Sequence, residues 1–137
     1  MNVRVFLVDH HADVRTTLAH RLRRDARVEL VGSASSVEEA ERVLAAGVQA
    51  DVVLLDIHGI GESGLAECRA LRGMTDAPLV IFTSYLTDDL WRAAKEAGAA
   101  HYLLKHIDTD SLCREVMRLA EEHQAGRPPR GSPLPGA

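Results

Sequence analysis

Two acids, a hydroxyl and a lysine carry the chemistry this chain could do, and each stands where a short apolar run stops. Asp9 follows Val5-Phe6-Leu7-Val8, and Asp56 follows Val52-Val53-Leu54-Leu55. Thr83 with Ser84 follows Leu79-Val80-Ile81-Phe82, and Lys105 with His106 follows Tyr102-Leu103-Leu104. A carboxylate is an established nucleophile. A phosphoryl group in transfer spreads negative charge over its equatorial oxygens, which positioned cations and donors must neutralise. Asp56 would be the nucleophile, with Lys105 pairing one phosphoryl oxygen and the Thr83 hydroxyl donating to another. A divalent cation held with the help of Asp9 would take a third, and Mg2+ needs only one or two carboxylates plus a carbonyl.

Those residues work together only if the chain brings four run ends to one place. Val3–Val8 is almost continuously apolar, as a strand buried on both faces must be. Val14, Leu18 and Leu22 then recur at helical spacing, with Arg15, Arg21, Arg23 and Arg24 on what reads as the solvated side of that helix. Val28–Val31 is a more alternating strand, and Ser36 with Glu39 forms a capping-box signal ahead of Ala40, Val43 and Leu44. After the third strand, 52–55, Leu65, Cys68 and Leu71 mark a helix. After the fourth, 79–82, Thr87 caps a helix that ends at Gly98. After the fifth, 102–104, Asp108 or Thr109 starts a helix that buries Leu112, Val116 and Leu119.

Five strands alternating with five helices predict a doubly wound α/β fold, a five-stranded parallel sheet with helices on both faces. Ligands of such folds bind beyond the carboxyl ends of the strands. With strand order 2-1-3-4-5, the ends of strands one, three, four and five adjoin, and the four polar groups converge.

The chain has 137 residues, 46% of them hydrophobic, and a formal net charge of −4. This suits one compact domain and gives no electrostatic reason to expect direct nucleic-acid binding. No apolar run approaches the roughly 20 residues of a membrane span, and no secretory signal is visible, so a cytoplasmic protein is expected. The two cysteines, Cys68 and Cys113, suggest neither a disulfide framework nor a zinc pair. Four of the five prolines fall between Pro128 and Pro135, so residues 1–123 read as the domain and 124–137 as a flexible Pro/Gly-rich tail.

Over residues 3–123 the sequence resembles the response-regulator receiver domains of two-component signalling, which have the flavodoxin-like fold. The resemblance rests on Phe6–Asp9, Asp51–Asp56, Val80–Ser84 and Gly98–Lys105, in that order and spacing. The local sequence is most similar to receivers that precede helix-turn-helix output domains. The resemblance implies a phosphoacceptor, Asp56, charged from the phosphohistidine of a sensor histidine kinase or phosphotransfer protein, with Mg2+ bound near Asp9. It implies that Thr83 reorients towards the phosphoryl group while Tyr102 swings inward. The face of helix four, strand five and helix five would change, and would serve a downstream protein target or a homodimer. Such a chain promotes only its own phosphorylation and dephosphorylation and is not a metabolic enzyme. With no output domain in the sequence, it reads as a stand-alone receiver.

Two positions depart from the family. His10 stands where receivers usually carry a second acid, a direct metal ligand. Imidazole suits zinc, nickel or copper better than Mg2+. Weakened Mg2+ affinity, a role for Mn2+ or another divalent ion, or a compensating positive charge from His10 itself are the expectations. After Asp56 the chain runs Ile57-His58-Gly59-Ile60-Gly61, where a Met-Pro-like turn is common. The His58 backbone carbonyl would still serve as a metal ligand. Two other readings follow from these departures: a phosphorylation-independent pseudo-receiver that acts as a protein-binding module, and a transition-metal site built from His10, His58 and the two carboxylates.

Overall fold

In a computed structural model the chain is described over residues 2–57 and 62–126, the side chains of Glu62 and Ser63 excepted. Strands and helices alternate: β1 (Val3–Val8), α1 (Ala12–Leu22), β2 (Val28–Ala34), α2 (Val37–Ala45), β3 (Val52–Leu55), α3 (Glu62–Arg72), β4 (Leu79–Thr83), α4 (Asp88–Glu96), β5 (Ala99–Leu104) and α5 (Thr109–Ala125). The strands form one parallel sheet in the order β2-β1-β3-β4-β5, as the sequence predicts. β2 and β5 are longer than the apolar runs that signalled them. They are the edge strands, and their added residues (Gly32, Ser33 and Ala34; Ala99, Ala100 and His101) are small or polar and only partly buried as a group, so they leave no apolar signature.

Strand alternation divides the core into two layers. Phe6, Val8, Val53, Leu55, Leu79 and Ile81 face one way and pack with α2, α3 and α4 through Ala40, Cys68, Leu71 and Ala94. Val5, Leu7, Val52, Leu54, Val80 and Phe82 face the other way, onto Leu18 and Leu22 of α1 and Leu112, Val116 and Leu119 of α5. The central strands are thus covered on both sides, which is why Val5–Val8, Val52–Leu55 and Leu79–Phe82 are unbroken by polar residues.

The helix starts follow local chemistry. Thr87 and Asp108 accept hydrogen bonds from the amides of Leu90 (3.1 Å) and Ser111 (3.0 Å). Ser36 accepts from Glu39 N, but the Glu39 carboxylate reaches Ser35 rather than closing a reciprocal box with Ser36. At the end of α4, Gly98 holds φ +114° against the Arg72 side chain, a position no Cβ would fit without strain.

Two of the helix-one arginines are not simply solvated. Arg15 donates to the Asp9 carbonyl at 2.7 Å. Arg21 donates to Thr109 Oγ1 and to the Ile107 carbonyl, tying α1 to the turn before α5. Both arginines thus satisfy backbone carbonyls in loops, one just after β1 and one in the turn before α5. α5 continues to Ala125, one residue past the composition break at Gln124, and is followed by Gly126. The expected tail beyond Gly126, and the loop 58–61, lie outside the described residues.

Candidate functional site

The ladders extend one residue past the strand ends and fix the two acids. Asp9 N donates to Ala34 O and Asp56 N to Val8 O, both at 3.0 Å. Since Val8 pairs with Leu55, the two aspartates leave adjacent strands side by side. Lys105 is held by its own amide, which donates to Thr83 O at 2.8 Å. The three side chains meet: Lys105 Nζ is 2.7 Å from Asp9 Oδ2 and 3.1 Å from Asp56 Oδ2. Asp9, Asp56 and Thr83 are the buried polar residues at these strand ends, at 1%, 6% and 8% exposure.

Burial pushes the Asp9 carboxyl up, but the Lys105 ammonium and the bonds from His11 outweigh it and hold Asp9 below the usual carboxylate range. Asp9 Oδ1 takes the backbone N–H of His11 at 2.9 Å and faces the ring Nδ1 at 3.0 Å. The first of these is a local turn of the kind Asp forms with the amide two residues on. His11 is the N-cap of α1, so the positive end of that helix also faces the acids. The Thr83 hydroxyl donates to Tyr85 O at 3.3 Å, a long bond that costs little to exchange.

His10 and His11 lie together beside the acids, with ring centroids 3.8 Å apart and planes tilted by 41°. One ligand atom each from Asp9, His10, His11 and Asp56 lies within 4.8 Å of every other. The sequence points to His10 at the site but not to His11 as a ligand. Its signal was its place two residues after a strand-end Asp, at the helix start. His58, expected to offer its carbonyl, lies outside the described residues. Tyr102, expected as a switch residue, is 38% exposed and sits edge-on to Trp91, with centroids 5.0 Å apart.

The donor set fits a divalent cation. Two carboxylates converge on a single positive charge, and the buried Asp9 Oδ2 has that ionic contact but no directed hydrogen bond. Asp9 and Asp56 are the oxygen ligands a Mg2+ ion requires.

Comparison with known proteins places this geometry. Residues 5–117 match the family model for the response regulator receiver domain. The chain belongs to that family. Receiver domains act in two-component signalling, where they bind Mg2+ and interact with histidine kinases. The receiver is 41% identical over 116 residues to the DNA-binding transcriptional activator DevR/DosR of Mycobacterium tuberculosis, covering 83% of this chain and 52% of that protein. It is 36% identical over 104 residues to the transcriptional regulatory protein LiaR of Bacillus subtilis, covering 75% of this chain and 49% of that one. The chain therefore spans about half the length of these relatives. Among solved structures, the receiver domain of the response regulator NarL from Mycobacterium tuberculosis aligns with TM-score 0.75 at 26% identity, covering 92% of this chain and 98% of that one. A LuxR-family response regulator from Aurantimonas aligns with TM-score 0.76 at 27% identity, covering 89% and 87%. No helix among the described residues of this receiver is long and apolar enough to cross a membrane.

Proposed function

We propose that this receiver accepts a phosphoryl group on Asp56 from the phosphohistidine of a sensor histidine kinase or phosphotransfer protein. The observation that carries the reading is the Lys105 ammonium within 3.1 Å of an Asp56 carboxylate oxygen that a rigid strand end presents. An Asp56 oxygen attacks phosphorus in line with the imidazole nitrogen. The P–N bond breaks as the P–O bond of the acyl phosphate forms, and the imidazole leaves with its electron pair and takes a proton from solvent. Lys105 balances charge on one phosphoryl oxygen, and Thr83 turns from Tyr85 O to donate to another. Asp9 and Asp56, with the His58 carbonyl, would hold Mg2+, which when bound neutralises charge on the transferring group. In this reading the chain promotes only its own phosphorylation and dephosphorylation.

With Thr83 moved, Tyr102 swings inward and gives up its edge contact with Trp91. The face of α4, β5 and α5 is thereby altered for a downstream protein target or a second copy of the chain, a population shift driven by a local charge event. Output through protein contacts is part of this proposal. His10 favours one further reading, a pseudo-receiver that binds its partner without phosphate. Transfer from a labelled phosphorylated histidine kinase separates the two. The acceptor reading expects label on the parent chain and none on Asp56→Asn, whereas equal labelling of both, or of neither, would overturn it.

A further inference from the structure

We propose that His10 and His11, together with Asp9 and Asp56, form a transition-metal site that takes Zn2+ in preference to Mg2+ and, when filled, withholds Asp56 from phosphoryl transfer. The blocking clause rests on the acceptor reading above, whereas the metal site stands on geometry alone.

The site combines two imidazoles and two carboxylates whose ligand atoms lie within 4.8 Å of one another. Four ligands about 2.0–2.1 Å from a tetrahedral zinc sit about 3.3 Å apart, so the cluster must contract modestly. Both imidazoles are on the exposed side of the site and can rotate, whereas the two carboxylates are fixed by the sheet. The ring Nδ1 of His11 already lies 3.0 Å from Asp9 Oδ1 and 3.9 Å from Asp56 Oδ2. A cation position exists too: the two Oδ2 atoms converge on the Lys105 ammonium, and Asp9 Oδ2 is buried without a directed hydrogen bond.

Ligand chemistry decides the ion. Carboxylates alone suit Mg2+, which prefers oxygen and gives up water reluctantly. Two imidazoles add nitrogen donors that favour zinc and its neighbours in the first transition row. A divalent ion at the acids competes with Lys105 for the same two oxygens, and it binds the oxygen that would attack phosphorus. Zinc should thus enter in exchange for the ammonium contact.

The test uses the full chain, stripped of metal with a chelator, and measures Zn2+ affinity by competition with a chromophoric chelator. Co2+ serves as a spectroscopic stand-in through its visible ligand-field absorption. One zinc per chain is expected, retained against a large excess of Mg2+. His10→Ala and His11→Ala should each weaken binding by at least about tenfold. His20→Ala, an exposed imidazole elsewhere on α1, should leave it unchanged. Lys105→Met should tighten zinc binding by removing the competing cation, an effect that a generally damaged fold would not give. Loss shared equally by the His20 variant, unchanged affinity in both site variants, or displacement of zinc by equimolar Mg2+ would overturn the site. Phosphorylation measured with Mg2+ present should fall in step with zinc occupancy. An undiminished rate at full occupancy would overturn the blocking clause, while a parent chain that is never phosphorylated but binds zinc through both histidines would overturn the acceptor reading alone.

Discussion

Removing the Lys105 charge should destabilise this receiver more than removing either acid, and the loss should fade in acid. The Lys105, Asp9 and Asp56 side chains are 16%, 0% and 7% exposed, so solvent screens their contacts weakly. At an effective dielectric of about 20, contacts of 2.7 and 3.1 Å each correspond to about 5–6 kcal/mol of Coulomb attraction, much of it offset by desolvation. Lys105→Met leaves two buried carboxylates facing each other with no ammonium between them. A loss of about 3–5 kcal/mol is expected at neutral pH, a large part of a typical domain's 5–15 kcal/mol, and a urea midpoint lower by about 2 M. Asp56→Asn leaves one acid paired with one ammonium and should be neutral or stabilising.

The pH dependence has a definite sign. In the parent, Asp9 titrates below its usual value. Its pairing therefore stabilises the fold above the unfolded-state pKa, and that stability is lost as pH falls through the folded value. In Lys105→Met, burial of Asp9 is no longer offset by the ammonium, so its carboxyl titrates higher. The gap between variant and parent then narrows as pH falls towards about 4, where protonation relieves the paired acids. Urea denaturation of both chains across that range, in metal-free buffer, is the assay. A neutral-pH loss under about 1 kcal/mol, or a loss that does not shrink in acid, would refute the reasoning.

Other substitutions probe the scaffold. Thr87→Ala removes the side-chain cap on α4 and should cost about 1 kcal/mol in chemical denaturation. Gly98→Ala forces a Cβ into φ +114° and within 3.0 Å of the Arg72 side chain, so a drop of at least about 1–2 kcal/mol is expected by the same assay. Leu54→Ala, at 0% exposure in the middle of the sheet, should cost about 2–5 kcal/mol, read as a lowered melting temperature with the fold retained by circular dichroism.

The strand order and both helix layers were legible because β1, β3 and β4 are sandwiched and so are apolar along nearly all of their length, with polar residues only near an end, as at Arg4 and Thr83. The edge strands were read short, since small or polar residues such as half-exposed Gly32 and Ser33 and exposed Ala100 leave no apolar signature. Asp9, Asp56, Thr83 and Lys105 stood out because the chain turns abruptly polar at adjacent strand ends. His11 was missed as a partner of Asp9, since a ring that folds back from a helix N-cap looks in sequence like any exposed histidine. Arg15 and Arg21 read as solvated because nothing in sequence shows which loop carbonyls lie within their reach. Their bonds appear only once α1 is laid against the strand ends and the turn before α5.

The central claim is tested most directly by intact mass after incubation with a small phosphodonor, comparing Mg2+, Mn2+ and no metal, with Asp56→Asn alongside. The account predicts a single phosphoryl mass gain in the parent that depends on the divalent ion and vanishes in the Asn variant. A gain of equal size in Asp56→Asn, or none in the parent with any ion, would contradict it.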